Sequence, residues 1–257
     1  MKYFRIACAY WQSSFVSPEE VIISLLRPLV VMFIQFVFFN YIYRHAHSIG
    51  GFTFEEIITY VFLSGFVFSF VDNSRLAYEM ENLTLSGRFV NIYVLPVSFY
   101  FYMFFKYMGE NLARSIPLIF AGIVLGLLGI IEISVFKLPV FFLLVLSGFA
   151  LSFAIYFLIG TLVFKVFKVT GLVDLFRFFF DVTSGRLFPL SFLPASIAKI
   201  AVFSPFALSI YLPIKFLMGK VISNAEYDAL AFALVFCTIL STSIFKRAVK
   251  KYEGMGG

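Results

Sequence analysis

Residues 140–164 contain no Asp, Glu, Lys or Arg. About 18 consecutive apolar residues already suffice to cross the hydrocarbon core of a bilayer. The pattern extends along the chain, which is 61% hydrophobic and only 13% charged, with a mean hydropathy of +0.98. Soluble domains are roughly 45–50% apolar and about 25% charged. Even a ~300-residue globule buries only about 75% of the surface its chain exposes, so water cannot be the solvent for most of this protein. A cytosolic enzyme, a nucleic-acid binder and a secreted disulfide scaffold are excluded. At roughly 20 residues per crossing plus short loops, 257 residues predict an all-α integral membrane protein with six transmembrane helices in a single domain, 1–257.

The expected crossings are Ile22–Tyr43, with Arg27 near its start; Ile57–Val71, after Glu55 and Glu56; Ser98–Ile130, kinked near Pro117; Val140–Phe164; Thr170–Leu190; and Tyr227–Phe245. Residues 72–96 are too polar for lipid and are expected as a cytoplasmic excursion. Residues 191–220 are apolar but carry Pro194, Pro205 and Pro213 together with Lys199, Lys215 and Lys220. They predict short re-entrant helices at the outer face, because broken backbone is tolerated at depth only where protein or water satisfies it.

Basic residues set the orientation. With both termini inside, inner segments carry eleven Lys or Arg, among them Arg75, Arg88, Lys106 and Lys246, and outer segments carry six. Residues 1–20 do not form a signal peptide, since Gln12, Ser13 and Ser14 interrupt the apolar run. They predict an amphipathic interfacial helix, with Tyr10 and Trp11 at the headgroups. Cys8 and Cys237 lie near opposite ends with no metal or disulfide spacing. Without an internal repeat, an inverted-repeat secondary transporter gains no support.

Catalytic chemistry is hard to find. A phosphate loop would require a glycine five residues before Gly219-Lys220 and a Ser or Thr after it; Ile214 and Val221 stand there. If ATP drives this protein, another chain binds it. Ser147-Gly148 lacks a base within reach for an intramembrane protease, and small residues in apolar helices serve close packing. His45 and His47 are two potential ligands without an acidic or sulfur third, so no metal site is expected.

Charges inside crossings are functional flags. Asp174, Arg177 and Asp181 share one helical face, as do Lys106, Glu110 and Arg114. Two outcomes are open: the faces meet and neutralise each other or line a water-filled path, or both lie near cytoplasmic ends and are merely solvated. In the polar excursion Leu76, Met80 and Leu83 share a face, with Glu79 on another, and Gly87 ends the helix. Such a helix either docks in a partner's groove or rests on lipid.

Ser184–Val221 resembles the region before the last crossing of ABC-2-type transporter permeases, closest to the six-span branch linked with drug or viologen export. The resemblance is carried by Ser184, Gly185, Pro189, Leu190, Pro194, Pro205, Phe206, Tyr211, Pro213, Gly219 and Lys220. The basic ending with Tyr252, Gly256 and Gly257 is similar. Ser86–Tyr100 resembles the family's cytoplasmic segment through Gly87, Leu95 and Pro96, but Arg88 stands where an acid is usual and Leu95 where an arginine is usual.

The resemblance implies a non-catalytic permease of a prokaryotic inner membrane, dimerised with itself or a sister permease. Separate ABC ATPase subunits would hold ATP and Mg, so no cofactor belongs to this chain. Leu76, Glu79, Met80, Leu83, Gly87, Arg88 and Pro96 would couple to the ATPase. Asp174, Arg177, Asp181 and Arg186 would line the substrate pathway. Pro189, Pro194, Pro205, Phe206 and Pro213 would form the outer gate. Aromatic richness would suit a hydrophobic or cationic cargo, or simply face lipid. The alternative class is a multispan membrane enzyme or scaffold without an ATPase.

Overall fold

In lipid every backbone polar group must be satisfied within its own segment, so long apolar stretches become helices. The computed structural model describes residues 2–16, 18–45, 47–129, 134–166 and 168–250. The Arg27 side chain, Glu132, Lys251, Tyr252, Gly256 and Gly257 lie outside the described residues. The helices are α1 (Lys2–Ser13), α2 (Pro18–Tyr43), α3 (Phe54–Val71), α4 (Ser74–Leu85), α5 (Phe89–Tyr93), α6 (Phe99–Leu127), α7 (Leu138–Thr161), α8 (Val163–Val166), α9 (Thr170–Thr183), α10 (Ala195–Ala201), α11 (Pro205–Leu217) and α12 (Asn224–Val249). Among the described residues the only β pairing is an isolated bridge between Ile49 and Phe52.

Among the described residues four helical stretches are long and apolar enough to cross a membrane: Phe54–Leu85, α6, Val135–Val166 and α12. A fifth is present if α10 and α11, bent by 99° to each other, count as one broken crossing. That falls short of the six expected. Helix α9 has only 14 residues, and the apolar stretch within α2 is Pro28–Tyr43. The proline-bearing region is indeed built of short helices. Pro205 opens α11 at its first position and Ser204 caps it, its Oγ accepting from the Ala207 amide at 3.1 Å.

Helix α7 is the hub. Its Phe149, Phe153 and Phe157 are fully buried, and α3, α4, α11 and α12 all pack on it. Gly148 lets α11 approach: a Cβ there would run into the Ser209 carbonyl oxygen and lie 3.0 Å from its Cα. The neighbouring Ser147 hydroxyl donates to Leu143 O at 2.9 Å within its own helix. The pair serves packing, as small residues in membrane helices do.

Two polar segments have partners within the protein. First, residues 72–96 divide into α4, α5 and the turns around them. Helix α4 continues Phe54–Leu85 as a single candidate crossing and packs on α7 and α9. Its polar side chains have partners that hydropathy cannot show. Tyr78 donates to Asp174. Glu79 accepts from Lys106 and from the Tyr107 hydroxyl. Glu81 accepts from the Val169 amide at 2.8 Å and the Thr170 hydroxyl at 3.0 Å, capping α9. Second, α1 has a protein surface as its bed. Gly109 of α6 sits directly against the Ala7 carbonyl. Tyr3 stacks on Phe105 at 5.5 Å, and the Tyr10 and Tyr102 hydroxyls meet at 2.5 Å.

Candidate functional site

The break between α3 and α4 falls at Asp72-Asn73, inside the bundle. Asn73 is fully buried and donates to Val71 O at 3.1 Å and to Phe149 O at 3.2 Å. Phe149 lies near the middle of α7. Asn111, near the middle of α6, donates to Phe70 O at 2.7 Å and to Asn73 Oδ1 at 3.2 Å. Two asparagines thus satisfy the carbonyls that the break exposes, as buried polar backbone requires.

Beside this break lies a cavity of ≈ 450 Å³, within the range of small-molecule sites. Ser64, Gly65, Phe68, Ser69 and Asp72 line it from α3 and its end, and Arg75 from α4. Glu110 and Arg114 come from α6, Arg177 from α9, and Arg186 from the turn after α9. Pro28, Val31, Met32 and Gln35 of α2, with Ser13 and Ser14 at the end of α1, complete the wall. Helix α2 is held there by Gln35, which donates to Leu187 O at 3.0 Å.

Four arginines and two acids face this space. Arg75 pairs with Glu110 at 3.1 Å. Arg186 pairs with Asp181 at 2.5 Å and lies 3.4 Å above the Phe68 ring. Asp72 accepts from the Ser74 amide at 3.0 Å. Arg114 donates to Asn111, while its Nε is buried with no hydrogen-bond partner. Among the described residues neither Arg114 nor Arg177 has a carboxylate within 4.0 Å.

The two charged faces read from the sequence therefore do not neutralise each other. Lys106 pairs with Glu79 and, at 3.8 Å, with Glu110 of its own helix. Asp174 is taken by Tyr78 and Asp181 by Arg186. What the faces share is the cavity, through Glu110, Arg114 and Arg177. Reading the sequence missed Asp72 and Arg75 as lining groups. The available signal was a DNSR run directly following an apolar stretch, where a broken crossing exposes backbone.

A second candidate surface begins where α4 leaves the bundle. Leu76, Met80 and Leu83 are buried inside this chain, so their face is already occupied. Gly87 turns the chain with φ +71 and nothing within 4 Å of a Cβ built there. Beyond it Arg88 and Pro96 are exposed, as are Leu85, Val90, Tyr93, Val94 and Leu95, with Val94 at 71%. Phe89 anchors the segment, stacking edge-on against Phe99 at 5.1 Å and Phe164 at 5.0 Å. Val90, Tyr93 and Val94 were not picked out from the sequence, because their short helix carries too few residues for a periodicity.

The proline-bearing region lies at the far end of the bundle. Pro189 and Pro213 are buried, Pro194 is exposed, and Pro205 and Phe206 are half-buried. Phe206 packs on Phe180 of α9 at 5.2 Å. Gly185, at φ +77, is held against Tyr60, whose hydroxyl donates to its carbonyl. Lys220 ties this end to α3 through Glu56 at 2.6 Å, and Lys215 pairs with Glu226, the capping-box acid of α12, at 2.9 Å. Among the described residues no group of three His, Cys, Asp or Glu is placed to hold a metal.

A family model described as ABC-2 family transporter protein matches residues 29–256. No curated protein matches the chain.

Proposed function

With most of its length matched, the chain belongs to the ABC-2 family of transporter proteins, and we propose that it is the permease of an ATP-driven exporter powered by separate ATPase subunits. Two permeases pair, and α2 and α9 complete six crossings with both termini cytoplasmic. The membrane is the inner membrane of a prokaryote. The basic residues at the α4 and α12 ends of the bundle support that orientation. ATP and Mg reside in the ATPase.

The observation that carries this reading is the path of α4. Its far end emerges as the exposed apolar and basic stretch Leu85–Pro96. Its near end, at Asp72 and Arg75, lines the cavity. Between them Leu76, Ala77, Met80 and Leu83 are buried in the chain's own core. Close-packed interiors transmit displacement rather than absorb it. An ATPase closing on Arg88, Val94 and Pro96 would move α4 as a unit and so reshape the cavity. Glu79 contributes by fixing α4 to α6 through Lys106 rather than by touching the ATPase. Pro189, Pro194, Pro205, Phe206 and Pro213 set the breaks of the outer gate. Asp174 and Asp181 hold Tyr78 and Arg186 in place along the pathway.

Co-expression with an ABC ATPase subunit from the same genome, followed by mild extraction, tests this. A complex is expected with the unaltered chain, and its yield should fall at least tenfold with Arg88→Glu or Val94→Asp. Both residues are exposed, so the fold should survive. A chain that purifies without any such ATPase would remove the proposal.

A further inference from the structure

We propose that the cavity between α2, α3, α6 and α9 binds the oxyanion of an anionic amphiphile, phosphate being the class that fits best. As a statement about cargo this rests on the permease reading, but the binding itself requires no ATPase.

The cavity carries an excess of positive charge that an anionic ligand would offset, with four arginines facing it against Asp72 and Glu110. Glu110 is balanced by Arg75, while Asp72 accepts only from the neutral Ser74 amide and keeps its charge. Arg186 is balanced by Asp181. Arg114 and Arg177 remain, on two different helices that line the same space, with Asp72 the one acid left against two cations. A cation held in a low-dielectric interior without a counter-charge is costly. Arg114 adds a buried Nε–H without an acceptor. Guanidinium groups present planar forks of N–H donors that match phosphate oxygens two at a time, which an ammonium cannot do. An oxyanion between Arg114 and Arg177 would supply both charge and acceptors.

The opposite wall has a different chemistry. Pro28, Val31 and Met32 of α2 and Phe68 of α3 are apolar, and the outward side of α2 carries exposed Val30, Phe33, Ile34 and Val37. A ligand with a charged head and an apolar body would place the head against α6 and α9 and the body along α2. A cationic cargo would find Glu110 already paired, Asp72 the one acid left and four arginines facing it.

The test uses the full chain in non-ionic maltoside micelles, titrated separately with dioctanoyl phosphatidic acid, inorganic phosphate and dodecyltrimethylammonium. Phosphatidic acid is expected to bind, with at least tenfold weaker binding for Arg114→Gln and for Arg177→Gln. Lys246→Gln, an exposed charge on α12, should change binding less than twofold. Inorganic phosphate binding as tightly as phosphatidic acid would support the oxyanion site and identify a free anion as its source. Much weaker phosphate binding would identify the amphiphile. Dodecyltrimethylammonium binding as tightly as phosphatidic acid would overturn the proposal, as would monodisperse variants with unchanged affinity. If Arg114→Gln does not fold, the more loosely held Arg177→Gln decides alone. Because no ATPase is present, loss of binding here and loss of assembly with an ATPase are separate failures.

Discussion

Gly109→Ala tests whether α1 is part of the bundle. A Cβ on Gly109 would overlap the Ala7 carbonyl oxygen and lie 3.0 Å from its carbon and 3.1 Å from its Cα. Carbon atoms in good contact are about 3.5–4.0 Å apart, so α1 must back away by roughly 0.5–1 Å. Overpacking of this kind costs about 1–3 kcal/mol. Replacing a mid-helix glycine by alanine returns up to about 1 kcal/mol. Gly126→Ala in the same helix meets nothing within 4 Å, so it keeps the gain without the clash. The difference between the two variants isolates the clash and should be about 1–3 kcal/mol in a denaturant titration in mixed micelles. Displacement of α1 would also loosen the Tyr10–Tyr102 hydroxyl pair and expose Cys8, which is half-buried. Maleimide labelling of Cys8, in a Cys237→Ser background, should therefore be faster in Gly109→Ala than in Gly126→Ala. Equal stability and equal labelling would refute the packing of α1 on α6 and return it to the lipid surface.

A double-mutant cycle with Glu79→Gln and Lys106→Met should give a coupling of about 1–2 kcal/mol. That lies between exposed pairs and buried ones, because the side chains are 25% and 13% exposed and Glu110 partly compensates Lys106; additivity within about 0.3 kcal/mol would contradict the pairing. Glu226→Ala removes both the Lys215 partner and the acid of the α12 capping box, and should cost about 2–3 kcal/mol in the same titration. Asp228→Ala, at an exposed position of α12, should stay within about 0.5 kcal/mol of the unaltered chain.

The crossings legible in the sequence were those whose apolar runs speak for themselves. Val140–Phe164 became α7, Ser98–Ile130 became α6, and Tyr227–Phe245 became α12. The prolines of residues 191–220 also announced short, sharply bent helices, because a missing N–H and a fixed φ act locally. The buried position of α4 was not legible. Tyr78, Glu79 and Glu81 read as solvent-facing until Asp174, Lys106 and the α9 terminus are seen opposite them. The charged faces on α6 and α9 were found by spacing, yet spacing cannot say which faces meet. Glu79, Arg75 and Arg186 came from elsewhere and took the charges that one of the two open readings paired across. The exposed run after Gly87 was partly visible, through Gly87 and Pro96, while Val90, Tyr93 and Val94 needed the fold to show them uncovered.

The central claim is that force from an ATPase enters at residues 85–96 and travels along α4. The most direct measurement is ATP hydrolysis by the purified complex in vesicles, comparing the unaltered permease with Gly160→Leu. Position 160 of α7 faces Ala77 and Met80 of α4, away from the docking surface, so assembly with the ATPase should persist. The account predicts a stable complex whose hydrolysis is no longer changed by the permease. A complex that assembles and hydrolyses ATP as the unaltered one does, despite the wedge between α4 and α7, would contradict it.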